Sequence, residues 1–284
     1  MFGEKLDYLI LRIFAHRRKI ATEEELNTRV QRSVSDDTVA KGMANLRKYV
    51  TRFEGMFPIK SDFRYLDIGC GTGEVTIALA NLGCGHVTGI DFVPRNIVQS
   101  ELLAAQEGVT DKVEFVCEDV HKWNPRQKFD VLISFNVFEH IDDPRLFLEA
   151  MVKLISKDGM VVLAFGPLFH SPFGDHMWDF FWLQIPWRGL LFSEQAILRL
   201  RREYFRPTDP AKRYQEIVGG LNLMKYSDFL KYIVQTGWNI KYLAVNPFLR
   251  RIDILYGLSN LLVRSGYFQN YFAGTVYVIL DRSS

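Results

Sequence analysis

Cysteine is scarce in this chain. Cys70, Cys84 and Cys117 are the whole supply in 284 residues, and no two stand at the spacing of a metal-binding pair. That excludes a disulfide framework and a zinc ribbon. It reads as three reduced structural thiols in or near the core of a cytoplasmic protein. An excess of charge is missing too: 35 Lys and Arg against 33 Asp and Glu leave +2, too balanced to mark a nucleic-acid binder. No apolar run is long enough to span a bilayer. The start does not read as a secretory signal, since Glu4 and Asp7 sit where a positive region belongs and no small-residue cleavage site follows. Repeats and low-complexity linkers are absent. What remains is 48% hydrophobic and 24% charged, the composition of a globular chain with a sizeable core, long enough for one large domain or two small ones.

Against that background one stretch stands out. Tyr65-Leu66-Asp67-Ile68 is a short apolar run that enters a turn with glycines at 69, 71 and 73, and Val75-Thr76-Ile77-Ala78-Leu79-Ala80 then starts a helix. Strand, glycine turn and helix make a nucleotide-binding βαβ unit. The dinucleotide fingerprint G-x-G-x-x-G does not fit. The third glycine comes one place early, and Glu74 stands where that fingerprint has glycine. A carboxylate there repels a pyrophosphate but suits a ligand carrying an ammonium and a sulfonium. Eighteen residues past Gly73, the strand Val87-Thr88-Gly89-Ile90 ends in Asp91, an acid placed for ribose hydroxyls.

These residues resemble the class I S-adenosylmethionine-dependent methyltransferases, the group that includes ubiquinone-type and natural-product enzymes. Leu66 to Gly73 matches the family's first motif, and Asp91 its ribose-binding acid. Val113 to Val120 matches its third strand, Phe129 to Ile141 its fourth strand and following turn, and Lys157 to Leu163 the entry to its fifth. The specific part covers about residues 62–166. The resemblance implies an α/β fold, a Rossmann-like seven-stranded and mostly parallel sheet. It implies S-adenosyl-L-methionine as cofactor and methyl transfer as the reaction. By position, Gly69, Cys70, Gly71 and Gly73 would pass beside the methionine part and Asp67 would face its amino group. Asp91 and Phe92 would lie at the ribose, Asp119 and the Val120 amide would meet the adenine, and Asn136 would stand at the methionine end.

Around the core, residues 1–60 read as an N-terminal helical cap and 61–284 as the methyltransferase domain. Leu6, Leu9, Ile10, Ile13 and Phe14 share one helical face, followed by His16-Arg17-Arg18-Lys19. Such a helix packs on its own domain or rests on a membrane surface. Val39, Met43, Leu46, Val50 and Phe53 mark a second helix. Strands alternating with helices predict a parallel sheet, with a fifth strand at about 160–165. Residues 167–237 form a long helical and aromatic insertion holding Trp178, Phe180, Phe181, Trp182, Trp187 and Phe192. At the carboxyl edge of a sheet it reads as the acceptor side of a site; a separate apolar core, a homodimer face and partial insertion into a membrane are the other readings. Helices are expected at 194–205, 227–236 and 252–264, and strands at 238–245 and 274–280.

An oxygen acceptor has a proton to lose, which makes a base useful. His176, next to Asp175 in the insertion, is the first candidate. His140, in the Glu-His-Ile after the fourth strand, is the second, and His170 the third. The spacing of these residues is too loose for a metal site, so none is assigned. Neither the Asn/Asp-Pro-Pro-Tyr/Phe run of amino-directed DNA methyltransferases nor the cysteine of cytosine-C5 enzymes follows the fourth strand. A small-molecule acceptor, methylated on oxygen, is the leading reading, with no nucleic acid as partner. A lipid or membrane-associated acceptor and a non-catalytic cofactor-binding subunit are its alternatives.

Overall fold

Tyr65–Ile68 form β1, four consecutive buried residues at the middle of a sheet. In the computed structural model, which describes residues 3–16, 37–177, 180–207, 209–217, 220–247 and 253–282, β1 pairs in parallel with β2 (Val87–Asp91) on one side and β4 (Phe129–Phe135) on the other. A strand flanked on both sides and covered on both faces has no polar surface to meet, which is why its residues do not alternate. The sheet has seven strands in the order β3-β2-β1-β4-β5-β7-β6, with β3 at Val113–Cys117, β5 at Ile155–Phe165, β6 at Asn239–Pro247 and β7 at Ala273–Asp281. Only the pairings of β7 with β5 and β6 are antiparallel, so the expected mostly parallel sheet is present. The strand order reverses between β1 and β4. At such a switch point the loops that follow the two strands part and leave a crevice.

The helices are α1 (Glu4–Phe14), α2 (Asp37–Arg52), α3 (Glu74–Asn81), α4 (Pro94–Gln106), α5 (Pro144–Leu154), α6 (Arg188–Leu191), α7 (Glu194–Tyr204), α8 (Tyr226–Gln235), α9 (Asp253–Arg264) and α10 (Gln269–Phe272). One face of the sheet packs through Leu66, Leu132, Leu163 and Val278 against Phe147 and Met151 of α5 and Phe229 and Ile233 of α8. The other packs through Tyr65, Val131, Val162 and Ile279 against Ile77 and Leu79 of α3 and Leu46, Tyr49 and Phe53 of α2. A third cluster joins Tyr8 and Leu11 of α1 to Phe180, Phe181, Phe192 and the apolar face of α7. No described helix is long and apolar enough to cross a membrane.

Several expectations need correction. Among the described residues of 1–60, α1 packs on the insertion helix α7, whereas α2 packs on α3. The buried face of α1 is Asp7, Tyr8 and Leu11, while Leu6, Leu9 and Ile13 are exposed and Ile10 and Phe14 half-buried. The reason is Asp7. Its Oδ2 accepts from the Ser193 amide at 2.8 Å, placing a carboxylate at the positive end of α7 and turning the helix about its axis. The fifth strand starts at Ile155, because Phe129 pairs with Ile155 ahead of a register shift. Cys117 is exposed rather than near the core, since β3 is the edge of the sheet. Arg17, Arg18, Lys19, Trp178 and Ile252, the first residue of the helix expected at 252–264, lie outside the described residues.

Candidate functional site

The loop after β1 turns at Gly69, Gly71 and Gly73, all at positive φ. Gly71 shows why. At φ +54° a Cβ would have no heavy atom within 4 Å, so the backbone curls around open space, and glycine does so without strain. The loop is held from below. Asp91, at the end of β2, accepts from the Gly71 amide through Oδ2 at 3.0 Å and from the Val93 amide through Oδ1 at 2.8 Å. Asp67 lies under the turn, buried, with Oδ2 accepting from Thr76 Oγ1 at 2.7 Å. Burial first, then the charges of Asp91 and Glu74, push its carboxyl up to about 7 against the Thr76 hydrogen bond, which pulls it down. Three carboxylates therefore crowd this end of the crevice, an environment for a cation and not for a pyrophosphate. Cys70 is buried, and burial raises its thiol well above the usual range, so it is an inert filler.

From the loop the crevice opens into a cavity of about 1020 Å³, lined among others by Gly69, Asp91, Phe92, Asn96, Asp119, Val120, His121, Asn136, Val137, His140, Ile141, Gln215 and Gly220. Phe92 stands on its rim, largely exposed. Asp119 caps the turn after β3, with Oδ1 accepting from the His121 amide at 3.0 Å. Asn136, directly after β4, has φ 56°, a conformation asparagine tolerates better than most residues. Of the residues expected around the cofactor, Gly69, Asp91, Phe92, Asp119, Val120 and Asn136 line this one cavity. Asp67, in β1, lies beneath it, and Cys70, Gly71 and Gly73 belong to the loop beside it.

Of the three candidate histidines, only His140 lines the cavity. Its Nδ1 stands 2.7 Å from the Gly220 carbonyl oxygen. A carbonyl only accepts, so Nδ1 carries the proton and Nε2 the lone pair. His176 packs edge-on against the His140 ring, 5.3 Å away, and its own Nε2 donates to the Pro167 carbonyl at 2.9 Å. Burial lowers the basicity of His176, the Pro167 hydrogen bond raises it, and the neighbouring His140 lowers it again. Asp175 does not orient His176. Its carboxylate is engaged by Arg188 through two hydrogen bonds of 2.6 and 2.9 Å. His170 packs against Phe169 and Tyr271, and burial lowers its basicity too.

Among the described residues, the aromatic run does not wall the cavity. Phe180, Phe181 and Phe192 are consumed in the cluster with α1 and α7, and the Trp187 indole donates to the Tyr271 carbonyl at 2.9 Å. Large rings with an apolar partner helix nearby bury their area there. The insertion reaches the cavity instead through Gln215 and Gly220.

Three residues outside the sequence expectations build the site. Asn222 clamps the insertion to the turn that carries His140. Its Nδ2 donates to the Phe138 and Ile141 carbonyls at 2.7 and 3.0 Å, and its amide to the Glu139 carbonyl at 3.0 Å. Tyr49 of α2 stacks on Phe135 at 4.4 Å and accepts from Asn136 Nδ2 at 2.6 Å. Gly42 lets α2 approach this closely, since a Cβ there would sit 2.7 Å from Glu74 Cβ and 2.8 Å from the Glu74 carbonyl oxygen. Tyr49 lies on the helical face of Leu46 and Phe53, so its burial was readable, but its partner was not.

Known proteins share this core. A family model described as a methyltransferase domain matches residues 59–166. A mitochondrial ubiquinone biosynthesis O-methyltransferase of Arabidopsis thaliana is 34% identical over 113 residues, 39% of this chain and 33% of that protein. The ubiquinone biosynthesis O-methyltransferase of Rickettsia conorii is 28% identical over 169 residues, 56% of this chain and 57% of that protein. The chain thus spans between a third and just over half the length of these curated relatives. Among solved structures, the magnesium protoporphyrin IX methyltransferase of Synechocystis PCC 6803 with bound SAH superposes with a TM-score of 0.53 at 16% identity. That match covers 98% of this chain and all of the other, a likeness of fold. Sheet order and glycine turn agree with the family match that residues 59–166 are similar to a methyltransferase domain.

Proposed function

We propose that the chain is an enzyme that binds S-adenosyl-L-methionine in the cavity at the β1–β4 switch point and methylates an oxygen of a small-molecule acceptor, with His140 as the proton acceptor. The observation that carries this reading is the placement of His140, with its Nδ1 proton engaged by Gly220, on the cavity that also holds Asp91, Asp119 and Asn136. When bound, the cofactor supplies a methyl group on a sulfonium, open to in-line attack by an oxygen.

The residues present fit that group. The space over Gly71 admits a chain that a Cβ would displace, and the carboxylates of Asp67, Glu74 and Asp91 favour a cationic ligand. Asp91 and Phe92 hold the ribose end, Asp119 and the Val120 amide the adenine, and Asn136, steadied by Tyr49, the methionine end. His140 Nε2 takes the hydroxyl proton of the acceptor as the oxygen attacks, and the imidazolium that forms keeps its Nδ1–H on the Gly220 carbonyl. The O-methylating relatives support oxygen as the acceptor atom. His176, the first candidate from sequence, is a neighbour that shapes the His140 ring site in this reading, and His170 has no part in it.

Calorimetry tests the cofactor. Micromolar binding of S-adenosyl-L-methionine or its demethylated product is expected, with none for NAD; tight NAD binding alone would overturn the assignment. Release of the demethylated product across a panel of hydroxyl acceptors tests the reaction. Tight cofactor binding with no turnover on any acceptor would favour a non-catalytic cofactor-binding subunit.

Asp91→Ala gives a residue-level check. It removes an acceptor from the ribose end and the tether of the Gly71 amide, so cofactor affinity should fall by about 1.5–3 kcal/mol, about tenfold or more, with the fold intact by circular dichroism. An unchanged dissociation constant would remove Asp91 from the binding site.

A further inference from the structure

The exposed side of α1 has no partner in the third core cluster. Leu9 is 54% and Ile13 68% exposed, and Leu6 lies beside them. The helix continues this surface into the insertion. Trp182 donates its amide to the Phe14 carbonyl at 3.0 Å and its indole N–H to the Ile13 carbonyl at 3.2 Å, with its ring 5.6 Å from Phe14. Held this way, Trp182 is still 58% exposed, with Leu183 next to it. Five large apolar side chains on one edge of a domain form the kind of patch that soluble proteins rarely leave uncovered.

Charge indicates what covers it. At 100° per residue, Lys5, Leu6, Leu9, Arg12 and Ile13 fall within one half of the circumference of α1, an apolar stripe with Lys5 and Arg12 along one edge. The acids of α1 are turned away. Asp7 is buried against Ser193, and Glu4 lies toward Arg199 on the α7 side, close enough to raise the Arg199 guanidinium. The sequence continues after His16 with Arg17-Arg18-Lys19. An apolar stripe with a cationic edge, no acid within it and a tryptophan at its end matches the interface of an anionic membrane, where aliphatic chains enter the acyl boundary and cations meet headgroups. A second copy of the chain fits worse, because a two-fold contact through this face would bring the Lys5 and Arg12 cations of both copies into one interface.

We propose that the α1 face of Leu6, Leu9 and Ile13, extended by Trp182, docks the protein peripherally on an anionic lipid surface. This stands apart from the cofactor reading, since no residue of the face lines the cavity.

Flotation of the full chain with vesicles tests it. With phosphatidylcholine–phosphatidylglycerol vesicles at low salt the protein should float. With phosphatidylcholine alone, or at high salt, it should stay largely below. Leu9→Gln/Ile13→Gln should weaken partitioning about tenfold or more, and Lys5→Glu by a few-fold. Both variants should keep cofactor affinity and the circular dichroism of the parent, since these side chains are exposed. Failure of the parent to float with anionic vesicles, equal binding to neutral vesicles, or parent-like flotation of the double variant would each overturn the proposal. So would a concentration-dependent dimer in ultracentrifugation that the double variant abolishes, because a second copy would then own the face. Turnover on a water-soluble acceptor should not change in either variant, which separates failure of docking from failure of the enzyme.

Discussion

Arg188→Met should destabilise the folded chain by about 3–5 kcal/mol, read as a shift in urea midpoint at unchanged slope. Arg188 and Asp175 are an ion pair taken almost wholly out of water, their side chains 0% and 1% exposed. Two parallel hydrogen bonds join them, and the guanidinium lies 3.9 Å from the centre of the Phe181 ring. Nothing replaces the cation when the arginine is lost. The Asp175 carboxylate then stays buried with only a long contact from the Met177 amide, 3.4 Å away, and an unpaired buried charge is among the costliest defects in a fold. The pair itself is not a large asset, because Arg188 Nη1 is buried with no hydrogen-bond partner. The double variant Arg188→Met/Asp175→Leu should therefore recover most of the loss, as buried pairs replaced by apolar groups often do. If the single variant loses under about 1 kcal/mol, water reaches Asp175 and the insertion is looser than its packing implies.

The same pair shows where sequence reading stops. Asp175 next to His176 looks like a carboxylate orienting a base, because adjacency is all a sequence displays. Arg188 is thirteen residues away and carries no mark of its role. Most of the core was legible for the opposite reason. The β1 run, the glycine turn and Asp91 form one local unit whose chemistry is written in consecutive residues, and the alternation of strand and helix follows from it. Two helices of the insertion, α7 and α8, were also visible, to within a residue or two, from their apolar spacing, whereas the short α6 was not. What stayed hidden depends on contact across the chain. The aromatic run looked like a pocket wall until α1 arrived to cover it. The face of α1 was misassigned because periodicity finds the apolar stripe, whereas the Ser193 amide and Asp7 decide which side turns inward. Tyr49 and Asn222 join the site through single hydrogen bonds or short clamps across 81 to 87 residues, and no spacing rule reaches so far.

The clamp matters most for the proposed base, where the largest effect on activity is expected. His140→Ala should lower turnover by about 10²–10⁴-fold while leaving cofactor affinity nearly unchanged, because the ring stands on the acceptor side of the cavity and not at Asp91 or Asp119. The variant removes the Nε2 lone pair and leaves room for a small base, so added imidazole should restore part of the rate. A residue that merely packs would give no such rescue. Asn222→Ala tests positioning. It frees the turn of residues 138–141 from the insertion and lets Gly220 drift from Nδ1, so the proton on that nitrogen loses its fixed partner. The expected loss is smaller, about tenfold, and falls on kcat with little change in cofactor affinity. His176→Ala should also cost less than His140→Ala, since its Nε2 is engaged by the Pro167 carbonyl and its ring packs edge-on against that of His140. The opposite ranking, with His140→Ala near normal and His176→Ala down by about a hundredfold, would move the base to His176. Near-normal turnover in both would mean that the acceptor gives up its proton unaided and that this cavity works by alignment and exclusion of water alone.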